Sequence, residues 1–280
     1  MGETLQYTPV KPDKLSSSWT IIHVLKITTT RSCWMQCRFC DFSHFVPLVG
    51  NNPVKPLTLL NLVQTDPRLD GSYDLIKIRG GLSFFEPWSY FRTAIRHIHT
   101  RNPAPIQALS AVELMHFHRV EKKPFQELLE ELRWAGASSL GPGGSELLWD
   151  EWRQDVAPLR LSAKEWLRIH QLAETCGLQS RASLMVFPGI TGRHVHDHLA
   201  VLKQLRGLSV IEIKPFRPTP LFTVDHPHTL DLLAVVQLIR QELPHVLIEI
   251  NIDHISHDMR DLLRGHGVSR ALVTQEEMDA

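Results

Sequence analysis

The 280-residue sequence has no surplus of either charge, since thirty Lys and Arg balance thirty Asp and Glu. It therefore lacks the basic field that nucleic acid or an anionic membrane surface would select. No apolar run approaches the roughly 20 residues needed to span a bilayer. Residues Met1–Trp19 carry Lys, Pro, Asp and Ser and lack the apolar stretch of a signal peptide. A cytoplasmic protein with neither nucleic-acid nor membrane partners is expected. Cysteine is scarce: there are four, and three fall between Cys33 and Cys40. A disulfide framework would spread them along the chain, so the tight cluster points to metal binding or catalysis in a reducing compartment. Cys176 stands alone and reads as a packed, inert thiol. Repeats and low-complexity tracts are also missing.

What is present is an ordinary globular balance, 43% hydrophobic and 21% charged, enough for one domain with its own core. Short β-branched runs alternate with longer amphipathic stretches, the pattern of βα units around a parallel sheet. Strands are expected near Val24–Thr30, Leu75–Arg79, Ile106–Ser110, Ser138–Leu140, Ala182–Val186, Val210–Lys214, Val246–Asn251 and Ala271–Thr274. Helices are expected near Leu57–Gln64, Trp88–His99, Phe125–Ala135, Ala163–Cys176, His194–Leu205, Leu230–Glu242 and Met259–Gly265. Ser162 and Glu165 form a capping box at the start of the fourth of these, and Gly177 follows its end. The expected fold is α/β, a complete or partial (β/α) TIM-type barrel over residues 21–275. An N-terminal arm (1–20) precedes it and a short tail (276–280) follows.

The unusual segments all follow the C-terminal ends of these strands, the face on which such barrels build active sites. The first holds Cys33-Trp34-Met35-Gln36-Cys37-Arg38-Phe39-Cys40. Three thiolates can hold three irons of a four-iron cluster that normally takes four cysteines, which leaves one iron open to a cosubstrate. A zinc site with His44 as fourth ligand is the rival reading of the same thiols. The C-x3-C-x2-C spacing, with Phe39 before the last cysteine, resembles the signature of the radical S-adenosylmethionine superfamily. That resemblance implies a 4Fe-4S cluster on Cys33, Cys37 and Cys40, with S-adenosyl-L-methionine bound beside it and Phe39 in the cofactor site.

Gly80-Gly81 after the second strand lets backbone approach a ligand, although a tight strand–helix turn needs glycine too. In the superfamily such a pair contacts the methionyl amino group. Ser110 and Glu113 after the third strand can bind ribose hydroxyls, and Ser-x-x-Glu is equally a helix cap. Gly143-Gly144-Ser145-Glu146 turns Glu146 toward the barrel mouth without the Gly-Lys-Ser/Thr ending of a phosphate loop. Arg217, in the proline-stiffened loop after the sixth strand, can bind a carboxylate or serve as a surface residue. Asp253, His254 and His257 follow the seventh strand and are acid–base candidates. His194 and His198 would share a helix face, expected to be solvated.

Taken together the loops resemble one clade: aminofutalosine synthase, the dehypoxanthinyl futalosine cyclase and the 5-deazariboflavin synthase radical subunits. The matching segments are Gly80-Gly81-Leu82, Ala108–Glu113, Ser139–Leu148 with Arg153, Trp166-Leu167-Arg168-Ile169-His170 and His198-Leu199. The resemblance implies an adenosyl radical that adds to, or takes hydrogen from, a small organic substrate near Glu146, Arg217 and His254. It also implies an electron donor such as flavodoxin or ferredoxin, and a place in menaquinone or related cofactor biosynthesis. Phe187-Pro188-Gly189-Ile190 stands where the clade has Gly-His-x-Glu, so the substrate-facing loop differs. The alternative is a non-catalytic, zinc- or cluster-bearing barrel that binds a ligand or partner.

Overall fold

A computed structural model describes residues 19–44, 58–82, 86–222, 229–253 and 255–279. Among them the strands are β1 Thr20–Thr28, β2 Leu75–Arg79, β3 Ile106–Ser110, β4 Ala137–Gly141, β5 Gln179–Val186, β6 Leu208–Pro215, β7 Leu247–Asn251 and β8 Arg270–Asp279. They pair in parallel and in sequence order, and β8 closes on β1 to complete the barrel. The helices between them are α1 Thr58–Thr65, α2 Trp88–Arg101, α3 Ala111–Glu121, α4 Phe125–Trp134, α5 Asp150–Val156, α6 Ala163–Thr175, α7 Gly192–Leu202, α8 Thr229–Glu242 and α9 His257–Gly265. The α/β barrel expected from the sequence is therefore complete.

Strand alternation separates two interiors. In β2, Ile76 and Ile78 join the apolar core with Trp88, Ile95 and Ile98 of α2, whereas Lys77 turns inward. Full burial of each such apolar side chain contributes on the order of 1.5–3 kcal/mol. Lys77 meets Glu212 of β6 at 3.0 Å. Because β2 and β6 stand opposite each other in the closed order, this ion pair crosses the lumen. Beside Glu212, its register partner Glu249 of β7 pairs with Arg181 of β5 and with Arg270 of β8. The lumen is thus polar, while the core lies between strands and helices.

The expected elements hold with shifted ends. The capping box of α6 forms, with Ser162 and Glu165 bonded reciprocally. β8 continues past residue 275 to Asp279, because it pairs with β1 as far as Thr28. Helices α3 and α5 are additions to the sequence reading. α3 starts directly after β3, with no loop between, and Ser110 is its N-cap. α5 starts at Asp150 with no side-chain cap from Trp149, so Asp150 and Glu151 in its first turn are its one local start signal.

Candidate active site

The cysteine loop follows β1 and is tied down by its neighbours. Thr30 O accepts from Gly81 N at 2.8 Å, and Arg38 N donates to Val156 O at the end of α5 at 2.9 Å. Trp34 Nε1 donates to His116 Nδ1 of α3 at 3.3 Å. A Cβ on Gly81 would fall 2.0 Å from Ser32 O, and one on Gly80 2.0 Å from Thr29 Oγ1. Both glycines are needed because the second loop packs directly against the first. This close packing places the Gly81 backbone beside Cys33.

Cys33 and Cys37 are buried and Cys40 is partly buried. Burial pushes the Cys37 thiol up to about 11, against the pull of Arg160. Arg160 Nε donates to Cys37 Sγ at 3.0 Å, and the guanidinium carbon lies 4.9 Å from the centre of the Phe39 ring. The same guanidinium forms a short ion pair with Glu146. Burial alone would raise the Glu146 carboxyl; Arg160, then Lys214, hold it below the usual carboxylate range. Glu146 is fixed through its own loop: Met185 N donates to Glu146 O at 2.8 Å, and Ser183 N to Ser145 Oγ at 2.7 Å. Glu113 is buried, and burial raises it to about 7 even though it accepts hydrogen bonds from Ser110. Ser110 Oγ in turn accepts from Glu113 N at 3.4 Å, the cap geometry.

Of the expected residues, Cys37, Phe39 and Glu146 meet at Arg160, whose charge also acts on Cys40, and Gly81 packs against Ser32 and Cys33 of the same loop. Arg217 is exposed on the loop after β6; the cation from that strand that acts on Glu146 is Lys214. His254 lies outside the described residues. His198 departs from its expected solvated face: it is fully buried, and its Nδ1 accepts from Leu148 N at 3.1 Å. It can reach the Glu146 loop because α7 packs its His198 face inward, and burial pushes its pKa down to about 3. His194 completes the capping box of α7 with Thr191, and its ring lies tilted against Trp149 with centroids 4.3 Å apart. Sequence reasoning missed Arg160, Lys214 and Trp152. Only Lys214 had a readable signal, as the inward residue at the end of an alternating strand.

No family model matches the chain. Aminodeoxyfutalosine synthase of Thermus thermophilus is 25% identical over 187 residues, covering 66% of this chain and 50% of that protein. The 5-amino-6-(D-ribitylamino)uracil--L-tyrosine 4-hydroxyphenyl transferase 2 of Methanococcus maripaludis is 25% identical over 208 residues, 70% of this chain and 56% of that one. Among solved structures, HydG, a maturase of the FeFe-hydrogenase, superposes with a TM-score of 0.69 at 13% identity, covering 93% of this chain and 58% of its own. Methylornithine synthase (PylB) gives 0.67 at 16% identity, covering 90% and 71%. The chain resembles the radical S-adenosylmethionine enzymes. It spans about half the length of the curated relatives it matches, and the solved structures share its barrel.

The donors in the site fit the cofactors of radical S-adenosylmethionine enzymes. Soft thiols on one buried loop suit an iron–sulfur cluster, and the three of them leave one corner for a cosubstrate. Among the described residues no three His, Cys, Asp or Glu side chains are grouped as ligands of a single metal ion. Beside the thiols, the planar fork of Arg160 is the group best shaped for an amino-acid carboxylate. Glu113, held near neutrality, can hydrogen-bond hydroxyl groups in either protonation state.

Proposed function

We propose that this chain is a radical S-adenosylmethionine enzyme that acts on a small organic substrate at the barrel mouth. The observation that carries the reading is the C-x3-C-x2-C loop at the C-terminal end of β1, with the Arg160–Glu146 pair drawn up against Cys37. Cys33, Cys37 and Cys40 hold three corners of a 4Fe-4S cluster. That cluster, when bound, supplies the electron that divides S-adenosylmethionine into methionine and a 5′-deoxyadenosyl radical. Arg160 exchanges Glu146 for the methionyl carboxylate, while Gly80-Gly81 keep side chains away from the methionyl amino group. Ser110 and Glu113 face the ribose hydroxyls, and Phe39 packs beside the cosubstrate.

Substrate is met from the other side of the mouth by Glu146, Lys214 and Arg217, with His254 the acid–base candidate that the sequence offers. The relatives named for aminodeoxyfutalosine and cyclic dehypoxanthine futalosine synthesis support a role in menaquinone or a related cofactor pathway. The radical either adds to an unsaturated substrate or abstracts hydrogen from it. A low-potential carrier such as flavodoxin or ferredoxin supplies the electron, in the cytoplasm, where the thiols stay free of disulfide bonds. The test is anaerobic: reconstitute with iron and sulfide, reduce, add S-adenosylmethionine and look for 5′-deoxyadenosine by chromatography. Product that disappears in Cys37→Ala supports the reading. Zinc in place of iron, with the cosubstrate intact, would replace it with a metal-stabilised binding barrel.

A further inference from the structure

The separate parts of the site meet on α5. Its last residue, Val156, accepts from Arg38 N of the cysteine loop. Trp152 lies between Phe39 and Phe187, stacked on both with ring centroids 5.5 Å away in each case. Arg153, 5% exposed, turns in the remaining direction. Its Nη1 donates to Gly144 O at 2.5 Å and to Leu147 O at 3.2 Å, and its Nη2 makes a short hydrogen bond to Leu161 O.

A buried guanidinium is ordinarily matched by a buried carboxylate, because the uncompensated charge is costly. Arg153 has instead an ion-pair partner, Asp150, 3.6 Å from Nε and half exposed. What it holds are carbonyls, and their places in the chain are informative. Gly144 and Leu147 bracket Glu146, and Leu161 directly follows Arg160. One rigid fork therefore joins the two backbone segments that carry the two members of the Glu146–Arg160 pair. A lysine ammonium, a point donor on a flexible stem, does not reproduce that planar fork.

We propose that Arg153 is a positioning residue that sets the spacing of Glu146 and Arg160, and with it the cradle for the cosubstrate carboxylate. What the cradle binds rests on the proposed function; the positioning itself does not.

The test compares Arg153→Lys with Arg181→Met, which removes a different buried arginine, one paired with Glu249 in the lumen. Amide hydrogen exchange of the apoprotein is read by mass spectrometry at residues 143–148 and 159–162. Binding of S-adenosylmethionine and iron content are then read on reconstituted, oxidised protein, which does not turn over. In Arg153→Lys the two segments exchange roughly tenfold faster while β6 is unchanged, and affinity falls by about tenfold or more with iron retained. Arg181→Met lowers the melting temperature and leaves both segments and the affinity as they were. Unchanged exchange in a folded Arg153→Lys would overturn the proposal. So would exchange rising equally in every strand, since that marks a purely structural role. Segment-specific exchange in a protein whose wild type binds no S-adenosylmethionine would uphold the positioning and remove the functional reading.

Discussion

The guanidinium of Arg160 donates to the sulfur of Cys37 at 3.0 Å while it is ion-paired to Glu146. One cation thus links the cysteine loop to the loop after β4. Removing it leaves a buried carboxylate without its main partner, and breaking a buried pair from one side costs about 3–5 kcal/mol. Arg160→Gln is expected to keep its iron, because all three thiols remain. Its affinity for S-adenosylmethionine should fall by roughly a hundredfold, or about 2.7 kcal/mol. Equilibrium dialysis with iron analysis of the same sample checks both halves.

Gly81→Ala should fail earlier, at cluster assembly. Its Cβ would meet the backbone carbonyl of Ser32 at 2.0 Å, and the neighbouring Cβ of Cys33 at 3.0 Å. The cysteine loop must move, at a cost of about 1–3 kcal/mol or more. Iron bound per chain after reconstitution is expected to drop severalfold. Gly80→Ala should be milder, because the first atom it meets is the Thr29 hydroxyl rather than backbone.

Glu113 makes the stability of the apoprotein depend on pH. Burial raises its pKa from 4.5 to about 7 in the folded state. Between those values the folded chain binds more proton than the unfolded chain, so stability is greatest below the lower value. It falls as pH rises through the window and is flat above it. The full span corresponds to about 3 kcal/mol. The buried histidines His170 and His198, pushed down to about 3, act in the opposite sense over the same range. The Glu113 share is therefore read as the difference between wild type and Glu113→Gln in urea unfolding at about pH 5 and about pH 8, the variant gaining on wild type as pH rises.

The cross-lumen pair predicts a different asymmetry. Burial would raise the Glu212 carboxyl, but Lys77, Lys214 and Arg181 together outweigh it and hold the group down at about 2. Glu212→Gln strands the Lys77 ammonium and should cost about 3–5 kcal/mol, whereas Lys77→Met with Glu212→Leu should cost far less. Chemical denaturation of the two variants checks the order; equal losses would contradict it.

How much of this was legible in the sequence depends on how local each signal is. Ile76 and Ile78 flanking Lys77 show a strand by alternation, and Ser162 with Glu165 shows a helix start by capping. The barrel follows from repeating such signals. The cysteines could be read because their spacing lies on one loop. Arg160 could not, since Pro158-Leu159-Arg160-Leu161 carries no motif and gains its meaning only where the chain brings it beside Cys37. Arg153 was noticed for its place after the glycine-rich loop, but its carbonyl partners at Gly144 and Leu161 are tertiary. His198 was misread for the same reason: a histidine on a polar-looking helix turned out to hold Leu148 N from inside.

The polar lumen has a consequence for how such a barrel diverges. Ile76 and Ile78 of β2 and Ile211 and Ile213 of β6 hold the molecule together from outside the strands, while Lys77, Glu212 and Lys214 occupy the inner face of the same strands. Durability and chemistry are therefore encoded at alternate positions of one strand. A lineage can rewrite the inner set, or a mouth segment such as Phe187–Ile190, while leaving the outer set intact. Descendants of one ancestor can then keep a common chassis and the cysteine loop yet process different molecules.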